Sequence, residues 1–176
     1  MPGPAFLHGD TVTLRPVERD DLSFLQTNIN DPTVWRSLAM NAPINGRQEE
    51  EWFESIGDGD GVHLLITDGE RRVGVVSLMN VDTGFGVAEL GYWVTPDEQR
   101  RGYASDAVGT ATTYAFDHRR LHRVSAQVLD FNEASQRLLE SLGFREEGIL
   151  RERMYVDGAY RDLHVFGVLE DEWDGT

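Results

Sequence analysis

Between residues 88 and 116 the chain leaves itself little freedom. Ala88-Glu-Leu-Gly-Tyr-Trp-Val94 is a short apolar run of strand type, and residues 105–116 carry helical periodicity. Between them lies the segment Gln99-Arg-Arg-Gly-Tyr-Ala104. A strand, a tight turn and a helix start in this order build an anion site. The first backbone N–H groups of a helix lack partners inside it and point out of its end. The helix dipole adds positive potential at the same place. Small residues at Gly102 and Ala104 allow a pyrophosphate to approach the backbone, and Arg100 and Arg101 supply charge that pairs well with phosphate.

The rest of the chain supplies a single layered domain over residues 1–176, with no repeat, low-complexity tract or long linker. Residues 11–16 read as a strand ending at Pro16. Residues 20–28 and 48–56 read as helices, the second carrying Trp52, Phe53 and Ile56. Residues 62–67 and 72–79 form a hairpin about Asp68-Gly69, and residues 82–86 form a loop before the strand at 88–94. The helix at 105–116 places Ala107, Val108, Ala111, Tyr114 and Ala115 on one side. A strand at 123–129 precedes a helix at 132–142, which is expected to bury Ala134, Leu138 and Leu142 and to end at Gly143. Strands at 148–156 and 163–169 flank a turn at Asp157-Gly158. This order describes an α+β or mixed α/β fold on one sheet.

Composition removes several function classes. The 31 acidic residues against 16 basic ones leave a formal charge of −15, which repels a nucleic-acid backbone and excludes sequence-independent DNA or RNA binding. With no Cys there is no disulfide, no Cys-based zinc site and no thiol nucleophile. No apolar run reaches membrane-spanning length, and the first residues lack a basic start and a long apolar centre, so a cytoplasmic protein without membrane attachment is expected. All 16 basic residues are Arg. A Lys-free, acid-rich chain fits halophilic adaptation to a high-salt cytoplasm, as in a halophilic archaeon; a GC-rich genome favouring Arg codons is the alternative.

The spacing Gln99-x-x-Gly102-x-Ala104 resembles the acetyl-coenzyme A pyrophosphate loop of the GNAT N-acetyltransferase superfamily, with Ala104 in place of a more usual Gly. Three further segments match in order. Ala88-Glu-Leu-Gly-Tyr-Trp resembles the strand before that loop in the RimJ/RimL-type branch, which acetylates protein N-termini. Asn132-x-x-Ser135 followed by Leu142-Gly143-Phe144 resembles the branch's second acetyl-CoA element, and Asp157-Gly-Ala-Tyr-Arg-Asp162 followed by Glu172-Trp173 resembles its ending. The resemblance is strong from Ala88 to Phe144 and loose before residue 60. It implies a mostly antiparallel sheet with splayed middle strands flanked by helices. It also implies an acetyl-CoA-dependent N-acetyltransferase, without a metal, acting on a primary amine at a protein or peptide N-terminus. A small amine such as an aminoglycoside, polyamine or amino acid is the alternative acceptor, and an acetyl-CoA-binding regulatory module is a rival of another class. Oligomeric state is not visible in the sequence.

Site roles follow from the same resemblance. Backbone around Trp93 and Val94 would meet the pantetheine amides where the superfamily's fourth strand splays from its fifth. Gln99, Arg100, Arg101, Gly102, Tyr103, Ala104 and Ser105 would wrap the pyrophosphate. Asn132 would hydrogen-bond the pantetheine arm or position the acetyl end, and it also suits a helix N-cap. Glu89 is the candidate general base, its alternative being a structural carboxylate bonded to backbone. Ser135 is the candidate to protonate or stabilise the leaving thiolate, its alternative being a polar first-turn residue. Two positions depart from related patterns: Leu139 stands where many members carry Tyr, and Met154, with Glu152 nearby, where some carry Glu. In the acceptor region, built from the N-terminal helices and the 82–86 loop, the run Glu49-Glu-Glu51 reads as a solvated helix face or a cation-attracting rim. His118 and His122 suit a helix C-terminus, and His63 and His164 a sheet face.

Overall fold

A computed structural model describes residues 1–175. Strands β1 (Leu7–His8) and β2 (Thr13–Pro16) lead through a 3₁₀ turn into α1 (Leu22–Ile29), α2 (Pro32–Ser37) and α3 (Gly46–Ser55). Then come β3 (Val62–Asp68), β4 (Arg71–Asp82), β5 (Val87–Val94), α4 (Tyr103–Asp117), β6 (Arg123–Leu129), α5 (Glu133–Ser141), β7 (Arg145–Val156) and β8 (Ala159–Leu169). The strands make one sheet in the order β1-β2-β3-β4-β5-β6-β8-β7. Among the described residues every neighbouring pair is antiparallel except β5 and β6. That parallel pair requires a crossover, and α4 supplies it.

The two faces of the sheet are covered differently. On one, α4 turns Ala107, Val108, Ala111 and Ala115 inward, where they are fully buried with Val76, Leu90, Val124 and Phe166. Small side chains at these positions let the helix lie close to the sheet. On the other face, α1 and α3 pack Leu22, Leu25, Trp52, Phe53 and Ile56 against Leu65, Val75 and Trp93. Asp21, wholly buried, accepts from Arg72 Nε at 2.6 Å and from the Glu18 amide at 2.9 Å, fixing the entry to α1 beneath β4. Asp106 in the first turn of α4 accepts from the amides of Asp10, Thr11 and Val12 and from the Thr11 hydroxyl at 2.7–2.9 Å. It thereby ties the β1–β2 turn to that helix.

Three expectations are corrected. Helix α2 has no counterpart in the sequence reading: it is six residues long, too short for periodicity. Its signal is local, with Asp31 capping the Thr33 amide at 2.8 Å and Pro32 at the first helical position. In α5 the fully buried side chain is Leu139, while Leu138 and Leu142 are half-buried and Ala134 is exposed. Leu139 thus occupies a core position. In the run at 49–51, Glu50 and Glu51 do face solvent, paired with Arg19 and Arg47, whereas Glu49 departs from the solvated face and is buried.

Candidate active site

The pairing of β5 with β6 stops early. Val87 to Leu90 pair with Arg123 to Ala126, after which the strands part. Gly91 to Val94 continue to pair with β4, and Gln127 to Leu129 with β8, each using one edge. The opposite edges pair with no strand among the described residues, although the Val94 carbonyl accepts from Gln99 Nε2 at 3.3 Å and the Leu129 carbonyl from the Asn132 amide at 3.0 Å. A backbone edge without a strand partner needs one when desolvated. This is the expected splay, and a cleft of about 530 Å³ opens along it.

One end of the cleft is the turn into α4. Arg100 and Gly102 both adopt left-handed backbone, with φ of 61° and 83°. A non-glycine residue held there costs about 1 kcal/mol or more, a strain concentrated at functional sites. No side chain caps the start of α4. A Cβ built on Gly102 would meet nothing within 4 Å, so the space before these amides is open. The turn is braced from below: Tyr103 Oη donates to Asp68 Oδ2 at 2.6 Å and accepts from Arg71 Nη2 at 2.9 Å. Arg101 Nη1 lies 3.4 Å from Glu98 Oε2, whereas Arg100 has no ion pair among the described residues. Open amides, left-handed turns and an uncommitted guanidinium are the features of which anion nests are built.

Where β5 leaves β6, the start of α5 approaches. Asn132 caps that helix, its Oδ1 accepting from the Ser135 amide at 3.3 Å. The hydroxyls of Ser135 and Tyr92 are 2.5 Å apart. Burial raises the Tyr92 phenol, against a smaller downward pull from Ser135, to a pKa of about 12. A phenol therefore does face this cleft, but from β5; Leu139 on α5 is in the core. The periodicity of a strand marks Tyr92 as a sheet residue, and nothing short of the splay reveals that its hydroxyl meets Ser135 in the cleft.

A second cavity of about 300 Å³ lies on the other face of β5. Its walls are Leu25 and Ile29 of α1, Trp52 of α3, Val75 and Met79 of β4, and Met40 and Ile44 between α2 and α3. It shares Leu38, Gly91, Tyr92 and Trp93 with the first cleft, so the two spaces meet at these residues. The 82–86 turn lines neither, contrary to expectation. Two polar groups on the walls are altered by burial: the Glu49 carboxyl is pushed above its ordinary pKa and the His63 imidazole below its own. His63 Nδ1 is 2.8 Å from Ser77 Oγ.

Most expected site residues thus come together. Trp93, Val94, Gln99, Arg100, Gly102, Tyr103, Ala104, Ser105, Asn132 and Ser135 line the first cleft. Arg101 lies within the turn but not on the lining. Glu89 shares the face of Gly91 and Trp93, accepts from Asn80 Nδ2 at 3.0 Å, and lies outside the lining of both cavities. Glu152 and Met154 are displaced by an irregularity in β7 between Leu150 and Met154; the Glu152 amide is bound to Asp162 at 2.8 Å and Met154 packs in a small satellite core. Among the described residues no cluster of three or more His, Asp or Glu could hold a metal, and no helix is long and apolar enough to cross a membrane.

Comparison with known proteins gives this geometry a context. The acetyltransferase (GNAT) domain family matches residues 11–145. YdaF of Bacillus subtilis, named as a ribosomal N-acetyltransferase, is 35% identical over 126 residues, covering 71% of this chain and 68% of that protein. The spermidine N(1)-acetyltransferase of Vibrio cholerae is 28% identical over 165 residues, covering 92% and 95%. A crystal structure of spermidine N-acetyltransferase from Vibrio cholerae with CoA and spermine superposes with a TM-score of 0.88 at 26% identity, covering 92% of this chain and 97% of that one. With the splayed strands, the open α4 terminus and the cleft between them already in place, these likenesses lead to one conclusion: the chain belongs to the GNAT acetyltransferase family and is an acetyl-CoA-dependent N-acetyltransferase.

Proposed function

We propose that the chain acetylates the free α-amine of a protein or peptide N-terminus. The observation that carries the reading is the meeting of two cavities at Gly91, Tyr92 and Trp93: the larger reaches the turn into α4, and the smaller is mostly apolar. In this reading the amides of Gly102 to Ser105, with Arg100, Arg101 and Gln99, hold the pyrophosphate of acetyl-CoA. The free edge of β5 about Trp93 and Val94 takes the pantetheine amides, and Asn132 orients the arm. The acetyl carbonyl then lies where the cavities meet. The amine attacks from the second cavity; a C–N bond forms, the C–S bond breaks, the amine loses a proton and the thiolate gains one.

Ser135, with Tyr92 behind it, stabilises the departing thiolate, and Glu89 receives the amine's proton through water. An α-amine suits so modest a base, because its pKa of about 7.7–8.0 leaves a sizeable neutral fraction where a Lys side chain at about 10.4 has almost none. The likeness to YdaF supports this acceptor. A small-amine acceptor is the second reading, favoured by the spermidine N-acetyltransferases among the similar proteins.

Mass spectrometry of peptides with free or acetyl-blocked N-termini, incubated with acetyl-CoA, tests the proposal. Labelling confined to the free α-amine is expected, and Glu89→Gln should slow it roughly 10²-fold with acetyl-CoA affinity unchanged. Equal labelling of a blocked, Lys-containing peptide, or labelling of polyamines alone, would transfer the assignment to the second reading.

A further inference from the structure

Glu49 is the one carboxylate on the lining of the second cavity, and it is only 7% exposed. Among the described residues no hydrogen bond or ion pair reaches its side chain, and its pKa is raised by burial alone. A carboxylate without a protein partner is costly to bury, and although the first turn of α3 favours its charge, its oxygens are left free to meet a cation that enters the cavity. The other titratable groups facing this space are His63 from β3, which burial keeps towards its neutral form, and Tyr92 from β5. Neither supplies a cation. The remaining walls, from α1, β4 and the segment between α2 and α3, are almost entirely apolar.

We infer that the second cavity selects a monocationic acceptor with an apolar body, whose ammonium is captured by Glu49 while its side chain packs between Leu25, Ile29, Trp52 and Met79, and whose amine attacks only once its proton has left through water to Glu89. The inference rests on the amine-acetyltransferase reading and narrows its substrate. One carboxylate neutralises one ammonium. A polyamine brings several charges, and the further ones would lie against apolar walls without partners. An N-terminal residue with a bulky apolar side chain has the required chemistry, and so has a free arylalkylamine.

The experiment uses the full chain, wild type and Glu49→Gln, with four acceptors: a Leu-initiated peptide, an Asp-initiated peptide, phenethylamine and spermidine. The Leu-initiated peptide or phenethylamine should exceed the Asp-initiated peptide and spermidine in kcat/KM by roughly 10-fold or more, the worth of burying one large apolar side chain. Glu49→Gln should reduce kcat/KM for the favoured acceptor by roughly 10- to 100-fold, mainly through KM, as expected for a lost charged hydrogen bond. The KM for acetyl-CoA should be unchanged and the unfolding midpoint should not fall, because a buried unpaired charge has been removed; a merely structural acid would lower it. Preference for spermidine, or an unchanged acceptor KM in Glu49→Gln, would overturn the inference. Turnover of phenethylamine but of neither peptide would uphold it while refuting the N-terminal reading. Calorimetric binding of phenethylamine that needs Glu49 but leads to no turnover would uphold the pocket and refute the transfer.

Discussion

Replacing Ser135 by Ala, Tyr92 by Phe, and both together shows how the leaving thiolate is met. The two hydroxyls are 2.5 Å apart and both line the cleft. Burial holds the phenol at a pKa of about 12. A thiol of ordinary acidity, near about 8.5, is the stronger acid by roughly 3.5 in pKa, so full proton transfer from Tyr92 is uphill by about 5 kcal/mol. A serine hydroxyl is a weaker acid still. The pair can therefore donate a hydrogen bond to the developing charge, with the proton arriving later from water. A hydrogen bond to a charged group contributes about 1.5–3 kcal/mol, so Ser135→Ala should lower kcat/KM by roughly 10- to 100-fold. Tyr92→Phe should lower it less, since it removes only the partner that orients Ser135. Because one hydrogen bond joins the two, the double variant should lose little more than Ser135→Ala, a coupling of about 1 kcal/mol. Thiol release measured across the neutral and alkaline range gives all four rates. A loss beyond roughly 10³-fold for Ser135→Ala, strictly additive losses, or an alkaline limb that Tyr92→Phe abolishes would refute the argument and restore true acid catalysis.

Gly102→Val forces a β-branched residue to φ 83° in the turn before α4 and places carbon over the open amides, so calorimetric affinity for acetyl-CoA should collapse while affinity for acetylated pantetheine is largely kept; equal loss of both would contradict the nest. Burial alone would raise the Asp106 carboxyl, but the hydrogen bonds from Thr11, Asp10 and Val12 outweigh it and hold its pKa below the ordinary Asp value. The stability it contributes is thus present above the unfolded value of about 3.9 and lost as pH falls through the lower folded value. Asp106→Asn should cost about 2 kcal/mol at neutral pH, a midpoint shift of roughly 4–8 °C, and should flatten the acid limb; an acid limb as steep as wild type would contradict it. A charge of −15 without Lys should raise the unfolding midpoint from dilute buffer to molar potassium chloride, as the Debye length shrinks from about 30 Å to about 3 Å; a flat midpoint would favour codon bias over halophilic adaptation.

What the sequence disclosed is what backbone chemistry dictates. The turn from Gln99 to Ala104 is legible because its spacing occurs together with three further segments in the family's order, for a glycine at a helix start is by itself often only a turn; Gly102 does adopt a left-handed conformation there. The helical stripe Ala107, Val108, Ala111 and Ala115 was legible from its period, and all four are buried. What escaped depends on how elements meet. Tyr92 reaches Ser135 only because β5 leaves β6 after Leu90, and no local pattern announces where a parallel pair will part. Leu139, where many members of the superfamily carry Tyr, fills the core, so the phenol of this cleft is not found at that position of the sequence.

Glu49 is different, since its signal was present and was masked by its neighbours. Three consecutive acids look like a solvated face, yet a helix separates adjacent residues by about 100° and cannot expose all three equally. Trp52, Phe53 and Ile56 follow Glu49 at three, four and seven residues, the spacing of a single buried stripe. Read by period rather than by composition, Glu49 takes a core position of α3, while Glu50 and Glu51 turn away to pair with Arg19 and Arg47. Glu49 sits in the first turn of α3, where the helix dipole favours a carboxylate, yet its place on the apolar stripe costs it solvation, and no arginine arrives from the facing strands to pair with it. Such a conflict between local sequence and fold is expected at functional positions, and here it falls on the wall of the cavity proposed for the amine.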